Sequence, residues 1–219
     1  MLPVRLYFEK TGRAIYTSHL DLVRCFERCL RRADIPFWFT EGFNPRPFMS
    51  FALPLSLGVT GLREVIDIRL VEDMPLDEVI ERLNKVLPEG LKILSAGEPV
   101  KKVTDIASSD YEITIIPENG AQLLGEKLNE FLSQESIVTQ KKNKKKKLVD
   151  VELKPHIRSY NVNIKEDAVI LETVLASGTS ENCNPSLVLG EFWKYAAIEE
   201  AENKIVRKRI LDTDGKEFA

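Results

Sequence analysis

RLYFEKTG (Arg5–Gly12) and HLDLVRCFERCLRRADI (His19–Ile35) decide how the first half of the chain is read. In the first stretch Leu6 and Phe8 alternate with Arg5, Tyr7 and Glu9, the period of two expected of a strand with one buried face. The second follows Ser18, with Asp21 three residues on in an approximate capping-box arrangement. Leu20, Val23, Phe26, Leu30 and Ala33 recur at helical spacing and are expected to form the buried stripe of a helix that Pro36 ends. PFWFTEGF reads as a second strand, and NPRP forces a turn because each proline restricts its predecessor to extended geometry. REVIDIRLV (Arg63–Val71) sets Val65, Asp67 and Arg69 against Ile66, Ile68 and Leu70 as a third strand. LDEVIERLNKVL (Leu76–Leu87) is amphipathic, Pro88 and Gly90 stop it, and LKILSAGEPV supplies a fourth strand. The order βαββαβ is the split arrangement of a ferredoxin-like domain.

Beyond a linker, KKVTDIASS, the same grammar returns. YEITII is a strand and AQLLGEKLNEFLSQ a helix. Two extended segments follow, one around the lysine run into LVDVELKP and the other AVILETVLAS (Ala168–Ser177). SLVLGEFWKYA is a second helix, with Leu187, Leu189, Phe192 and Trp193 among its anchors, and IVRKRILD a closing strand. No residue-by-residue repeat accompanies the repeated order. The expected fold is α+β, two tandem ferredoxin-like (βαββαβ) domains over residues 1–100 and 108–219.

Composition narrows the function. Of 219 residues, 43% are hydrophobic and 30% charged, which excludes a mainly disordered chain. No apolar run approaches the ~18 residues of a membrane span, and the start lacks the apolar region of a signal peptide. Three cysteines are too few for a disulfide scaffold, so a cytoplasmic setting is expected. A net charge of -3 excludes a uniformly basic nucleic-acid coat. The charge is nevertheless segregated: residues 1–50 hold eight Lys/Arg against five Asp/Glu, and residues 51–100 hold five against nine. Such asymmetry can steer a polyanion to one face.

Two stretches concentrate candidate contacts. Arg24, Arg28, Arg31 and Arg32 cluster on one helical face beside the apolar stripe, and arginine forks match phosphate oxygens. The alternative is an ordinary wet surface on which Glu27 and nearby acids pair with them. GFNPRPFMSFALPLSLGV (Gly42–Val59) is irregular yet apolar and stiffened by proline. Most of its large residues are expected to pack over the end of the sheet, leaving Asn44 and Arg46 as candidate RNA contacts. Lys144, Lys145 and Lys146, in the run KKNKKKK, would widen the basic footprint.

Catalytic signatures are sparse. No phosphate-binding loop, dinucleotide fingerprint or HExxH pattern appears. Cys25 and Cys29 have the first spacing of a CxxxCxxC cluster motif, but Arg32 holds the third position, so buried packing is the expected role and no metal site is assigned. His19, at the start of the first helix, is the single candidate general acid or base. His156, beside Arg158, carries no assigned role.

The run from YTSHLDL through ERCLRRADIP, GFNPRP and SFALPLSLG closely resembles the bacterial radical SAM-linked family, a domain of unknown function. The resemblance is strong over roughly the first seventy residues and places His19, Asp21, Arg24, Glu27, Arg28, Arg31, Arg32, Gly42, Phe43, Pro45, Arg46 and Pro47 at motif positions. It departs at Gly61 and Leu62, where a serine-rich segment would stand. It implies a partner, a radical SAM protein, that holds the cluster, and chemistry directed at RNA. This chain would need no cofactor of its own. The leading expectation is a non-catalytic RNA-binding accessory, with neither DNA nor membrane as partner. Its rivals are a metal-independent endoribonuclease using His19 and a module that docks a protein without touching RNA. CRISPR repeat endoribonucleases share the tandem ferredoxin-like architecture, an analogy of fold alone.

Overall fold

The structure, a computed structural model, describes residues 1–118, 120–142, 148–179 and 181–219, with only the backbone at 141 and 142. Its strands and helices are β1 (Leu2–Lys10), α1 (His19–Arg32), β2 (Met49–Phe51), β3 (Thr60–Leu70), α2 (Leu76–Val86) and β4 (Leu91–Gly97), then β5 (Ile106–Ile116), α3 (Ala121–Ser133), β6 (Val138–Lys142), β7 (Leu148–Glu152), β8 (Ile157–Ile164), β9 (Val169–Ala176), α4 (Pro185–Ala196) and β10 (Glu202–Asp212). The class is α+β. The chain divides into two compact units: Met1–Asp105 with Arg207–Ile210 and Glu217–Ala219, and Ile106–Val206 with Leu211–Lys216.

In the first unit the strands run β4-β1-β3, and β2 also pairs with β3. β1 is antiparallel to both β3 and β4, and β2 is antiparallel to β3. Val4, Leu6 and Phe8 of β1 and Ile66, Ile68 and Leu70 of β3 turn one face toward α1 and α2. Leu22, Phe26, Cys29 and Leu30 of α1 and Val79 and Leu83 of α2 meet them. The Phe8 ring packs edge-on against Phe26, 5.1 Å between centroids. Leu20, expected on the buried stripe, is 67% exposed, while Leu22 and Cys29 are buried. The helix therefore presents a face rotated from the one assigned by periodicity.

The other face of β1 is buried too. Arg5 gives Nε and Nη2 to Asp67 of β3 at 2.7 and 2.9 Å and its Nη2 to the Lys101 carbonyl at 3.0 Å. Phe218, near the carboxyl end of the chain, lies 4.4 Å from its guanidinium. Lys10 is buried as well, donating to the Ile15 and Thr17 carbonyls at 3.2 and 2.9 Å. A buried cation requires such partners.

The second strand also falls elsewhere. Phe37 and Phe39 make isolated bridges, to Leu70 and Pro47, and the named strand is Met49–Phe51, in register with Ile66–Ile68. The intervening chain doubles back: Phe48 N donates to Trp38 O at 2.9 Å and Thr40 N to Arg46 O at 2.8 Å. PFWFTEGF is thus one arm of a small hairpin whose tip is Glu41–Pro45.

In the second unit β9 lies between β5 and β8, antiparallel to both, and β10 flanks the other side of β5. Leu128 and Phe131 of α3 and Leu189 and Phe192 of α4 are buried with Leu171 and Leu175 of β9. Phe131 and Phe192 meet at 5.7 Å. The segments beside the lysine run form a separate two-stranded sheet, β6 with β7, joined to α4 through Thr139 Oγ1 and Glu191 Oε1 at 2.6 Å. The second extended segment of the main sheet is instead β8, which the sequence pattern does not separate from that run.

Candidate functional site

Ser18 fixes the start of α1. Its Oγ accepts from Asp21 N at 3.2 Å and donates to Asp21 Oδ2 at 2.7 Å, while Asp21 Oδ1 receives Arg24 Nη1 at 3.1 Å. The Ser18 hydroxyl, aided by Arg24, lowers the Asp21 carboxyl below its ordinary value. From that anchored turn, Arg24, Arg28 and Arg32 follow at intervals of four and line one open cleft of about 530 Å³ with Asp21, Cys25 and Cys29, faced by Val86 and Pro88. All three arginines are exposed. Only Arg24 has a carboxylate partner among the described residues, and Glu27 pairs with none of them. An anion approaching the cleft would therefore meet two uncompensated guanidinium groups.

Arg31 lies apart from this row. Its guanidinium sits 4.7 Å from the Phe39 ring and 5.9 Å from Phe37, against the hairpin. Asn44 and Arg46 lie on the exposed hairpin tip and its edge, beside Phe43, which is fully exposed. Motif position alone gives Phe43 no contact role. A large aromatic at the tip of a proline-flanked hairpin offers a stacking surface. Lys144, Lys145 and Lys146 lie outside the described residues.

His19 is half-buried and meets the edge of Phe51 at 5.2 Å, and Phe51 in turn packs on Phe8 and Phe26. Its place is at the rim of the aromatic core. His156 faces Glu181, which already accepts Arg158 Nη2 at 2.8 Å.

The cleft also contains the thiols. A hydrogen bond from Cys29, with Arg28 and Arg32 nearby, brings the Cys25 thiol down to about 7 despite its partial burial. The same pairing and burial push Cys29 up, and its Sγ lies 3.6 Å from the Val86 carbonyl. Two thiols and a guanidinium in the third position do not fit an iron–sulfur cluster. Among the described residues, no group of three His, Cys, Asp or Glu side chains is placed to hold a metal ion. Alkylation of Cys25 by iodoacetamide is expected to rise with a midpoint near pH 7, because the thiolate is the nucleophile. Cys183, buried and pushed up to about 11, should stay unmodified in the folded protein. Peptide mass spectrometry across pH reads both, and a Cys25 midpoint at an ordinary thiol value would refute this electrostatic account.

Fold and site together define an α+β protein with a basic helix and an exposed, proline-flanked hairpin. The chain belongs to DUF2344, a family of uncharacterized proteins conserved in bacteria, matched over residues 4–185. Among solved structures it is similar to a chain in the crystal structure of a Cbf5-Nop10-Gar1 complex, at 10% identity and a TM-score of 0.49, covering 94% of this chain and 48% of that one. It thus spans about half the length of that relative. It is also similar to an unknown protein from Galdieria sulphuraria, at 10% identity and a TM-score of 0.27, covering 93% and 96% of the two chains. No curated protein matches. Among the described residues, no helix is long and apolar enough to cross a membrane.

Proposed function

We propose that this protein is a non-catalytic RNA-binding accessory that presents substrate RNA to a separate radical SAM enzyme. The observation that carries RNA binding is the row Arg24, Arg28 and Arg32 along one open cleft, two of the three without a carboxylate partner among the described residues. Successive guanidinium groups four residues apart on a helix suit successive phosphates of a backbone. The exposed Phe43, beside Asn44 and Arg46, adds a ring on which a base can stack. The radical SAM partner rests on the motif resemblance alone. The packing of His19 against Phe51 favours the accessory reading over a ribonuclease. We further read each unit as ferredoxin-like. The strand orders β4-β1-β3-β2 and β10-β5-β9-β8 support that reading, each with two helices inserted in the required places.

Replacing Arg24, Arg28 and Arg32 together with Gln is expected to weaken RNA binding about tenfold or more across sequences, without loss of helicity. The slope of log affinity against log salt should become shallower by roughly 0.7–0.9 per lost phosphate contact. Arg82, engaged by Glu78 and by the Asp34 carbonyl, is the control whose replacement should leave both quantities unchanged. Titration of labelled RNA at several salt concentrations measures them. An unchanged slope in the triple variant would overturn the reading and favour docking of an acidic protein surface.

A further inference from the structure

On the first unit, the strand face turned away from α1 and α2 carries a second set of aromatic and basic groups. Arg69 of β3 lies 4.3 Å from the Phe48 ring and 5.5 Å from the Trp38 ring, and the two rings are 5.8 Å apart. The hairpin holds them in place: Trp38 N donates to Arg69 O at 2.7 Å, and Phe48 N to Trp38 O at 2.9 Å. Arg46 stands two residues from Phe48, on the same side of its strand by the period of two. Beside the rings opens a cleft of about 440 Å³ whose lining includes Arg5, Phe48, Ser50, Asp67, Arg69 and Lys102.

Two features of that cleft point to an anionic ligand. Asp67, its one carboxylate, is neutralised by the bidentate pairing with Arg5, and the side chains of Arg69 and Lys102 have no carboxylate partner among the described residues. A flat ring beside an anion is what the arrangement suits, since Trp and Phe offer stacking faces and guanidinium groups take phosphate oxygens.

The geometry points to a nucleotide-binding site here, with the base against Trp38 and Phe48 and the phosphate between Arg69 and Lys102. The nucleotide comes either free or as an unpaired residue of RNA. Only the second source rests on the RNA-binding proposal, and neither uses the arginine cleft of α1.

Trp38 reports on this site directly, since the only other tryptophan, Trp193, is buried in the second unit. The intact chain is titrated with adenosine 5′-monophosphate and, separately, with an adenosine hexaribonucleotide, following tryptophan emission at constant ionic strength. Saturable quenching that disappears in Trp38→Phe is expected. Arg69→Gln and Lys102→Gln should each weaken it about tenfold. Quenching by the monophosphate indicates a free nucleotide, and quenching by the hexamer alone indicates an RNA residue; both uphold the site. No saturable quenching by either, quenching that survives Trp38→Phe, or indifference to both Arg69→Gln and Lys102→Gln would overturn it. The Arg24/Arg28/Arg32 variant separates the two proposals, because it should quench normally with the monophosphate even where its RNA affinity has fallen.

Discussion

Replacing Glu64 with Leu should lower the free energy of unfolding by about 3–5 kcal/mol, because it leaves the Arg207 guanidinium buried without its counter-charge. Both side chains are 3% exposed. Arg207 gives Nε to Glu64 Oε1 at 2.9 Å, gives Nη2 to Oε2, and also donates Nη2 to the Leu53 carbonyl at 2.8 Å. The pair ties β3 to a strand 143 residues later in sequence, within the first unit. Gly61 makes room for it, since a Cβ there would stand 2.6 Å from Glu64 Cγ. Desolvation dominates such a pair, so the double replacement Glu64→Leu with Arg207→Met should recover most of the loss. Urea unfolding measures both variants. Glu81→Gln, which breaks the exposed Glu81–Lys85 pair on α2, should barely move the midpoint. A similarly small effect from Glu64→Leu would mean that water reaches Arg207.

The parts of this fold that depend on local signals are readable in the sequence. The Ser18 cap with Asp21, the arrest of α1 before Pro36 and the amphipathic run from Leu76 follow from side chains within a few residues of each other. The exposed side assigned to β1 fails for the opposite reason. Arg5 is buried because Asp67 and Phe218, 62 and 213 residues away, cover it, and no local period records a partner that distant. The strand expected over PFWFTEGF fails because Phe37, Trp38 and Phe39 do alternate faces as a strand would, yet the chain pairs them with residues 46–48 across a proline-rich tip. Extended backbone is legible there; its pairing partner is not.

The candidate site divides along the same line. Helical arithmetic alone gathers Arg24, Arg28, Arg31 and Arg32, but it cannot see that Phe39 takes Arg31 out of the row. The stack of Arg69 on Trp38 and Phe48 left no signature, because the three lie on two segments joined only in space. The signal that could have flagged them is a tryptophan and a phenylalanine flanking a turn motif, opposite a strand whose outward positions, Asp67 and Arg69, are charged. A hairpin that brings its aromatics together over such a strand builds a face without any contiguous motif.

Gly90→Ala is the second large expected loss, about 2–4 kcal/mol, and its origin can be separated by a control. Gly90 adopts φ +85°, and a Cβ there would stand 2.4 Å from the Thr11 carbonyl oxygen and 2.9 Å from Ala14 Cβ. The same glycine accepts Thr11 N at 2.8 Å, so this contact holds the turn before β4 against the segment that leads to the Ser18 cap of α1. Backbone atoms cannot rotate aside, so the methyl group must displace the segment, adding the ~1–3 kcal/mol of overpacking to the strain of a left-handed alanine. Gly58 is the control: it has φ +80°, and a Cβ placed there would meet nothing within 4 Å. Gly58→Ala should therefore lose only about 1 kcal/mol, through backbone strain. Thermal and urea unfolding of both variants give the difference. Equal losses would assign the role of Gly90 to backbone conformation alone, and would release α1 from any dependence on the turn that precedes β4.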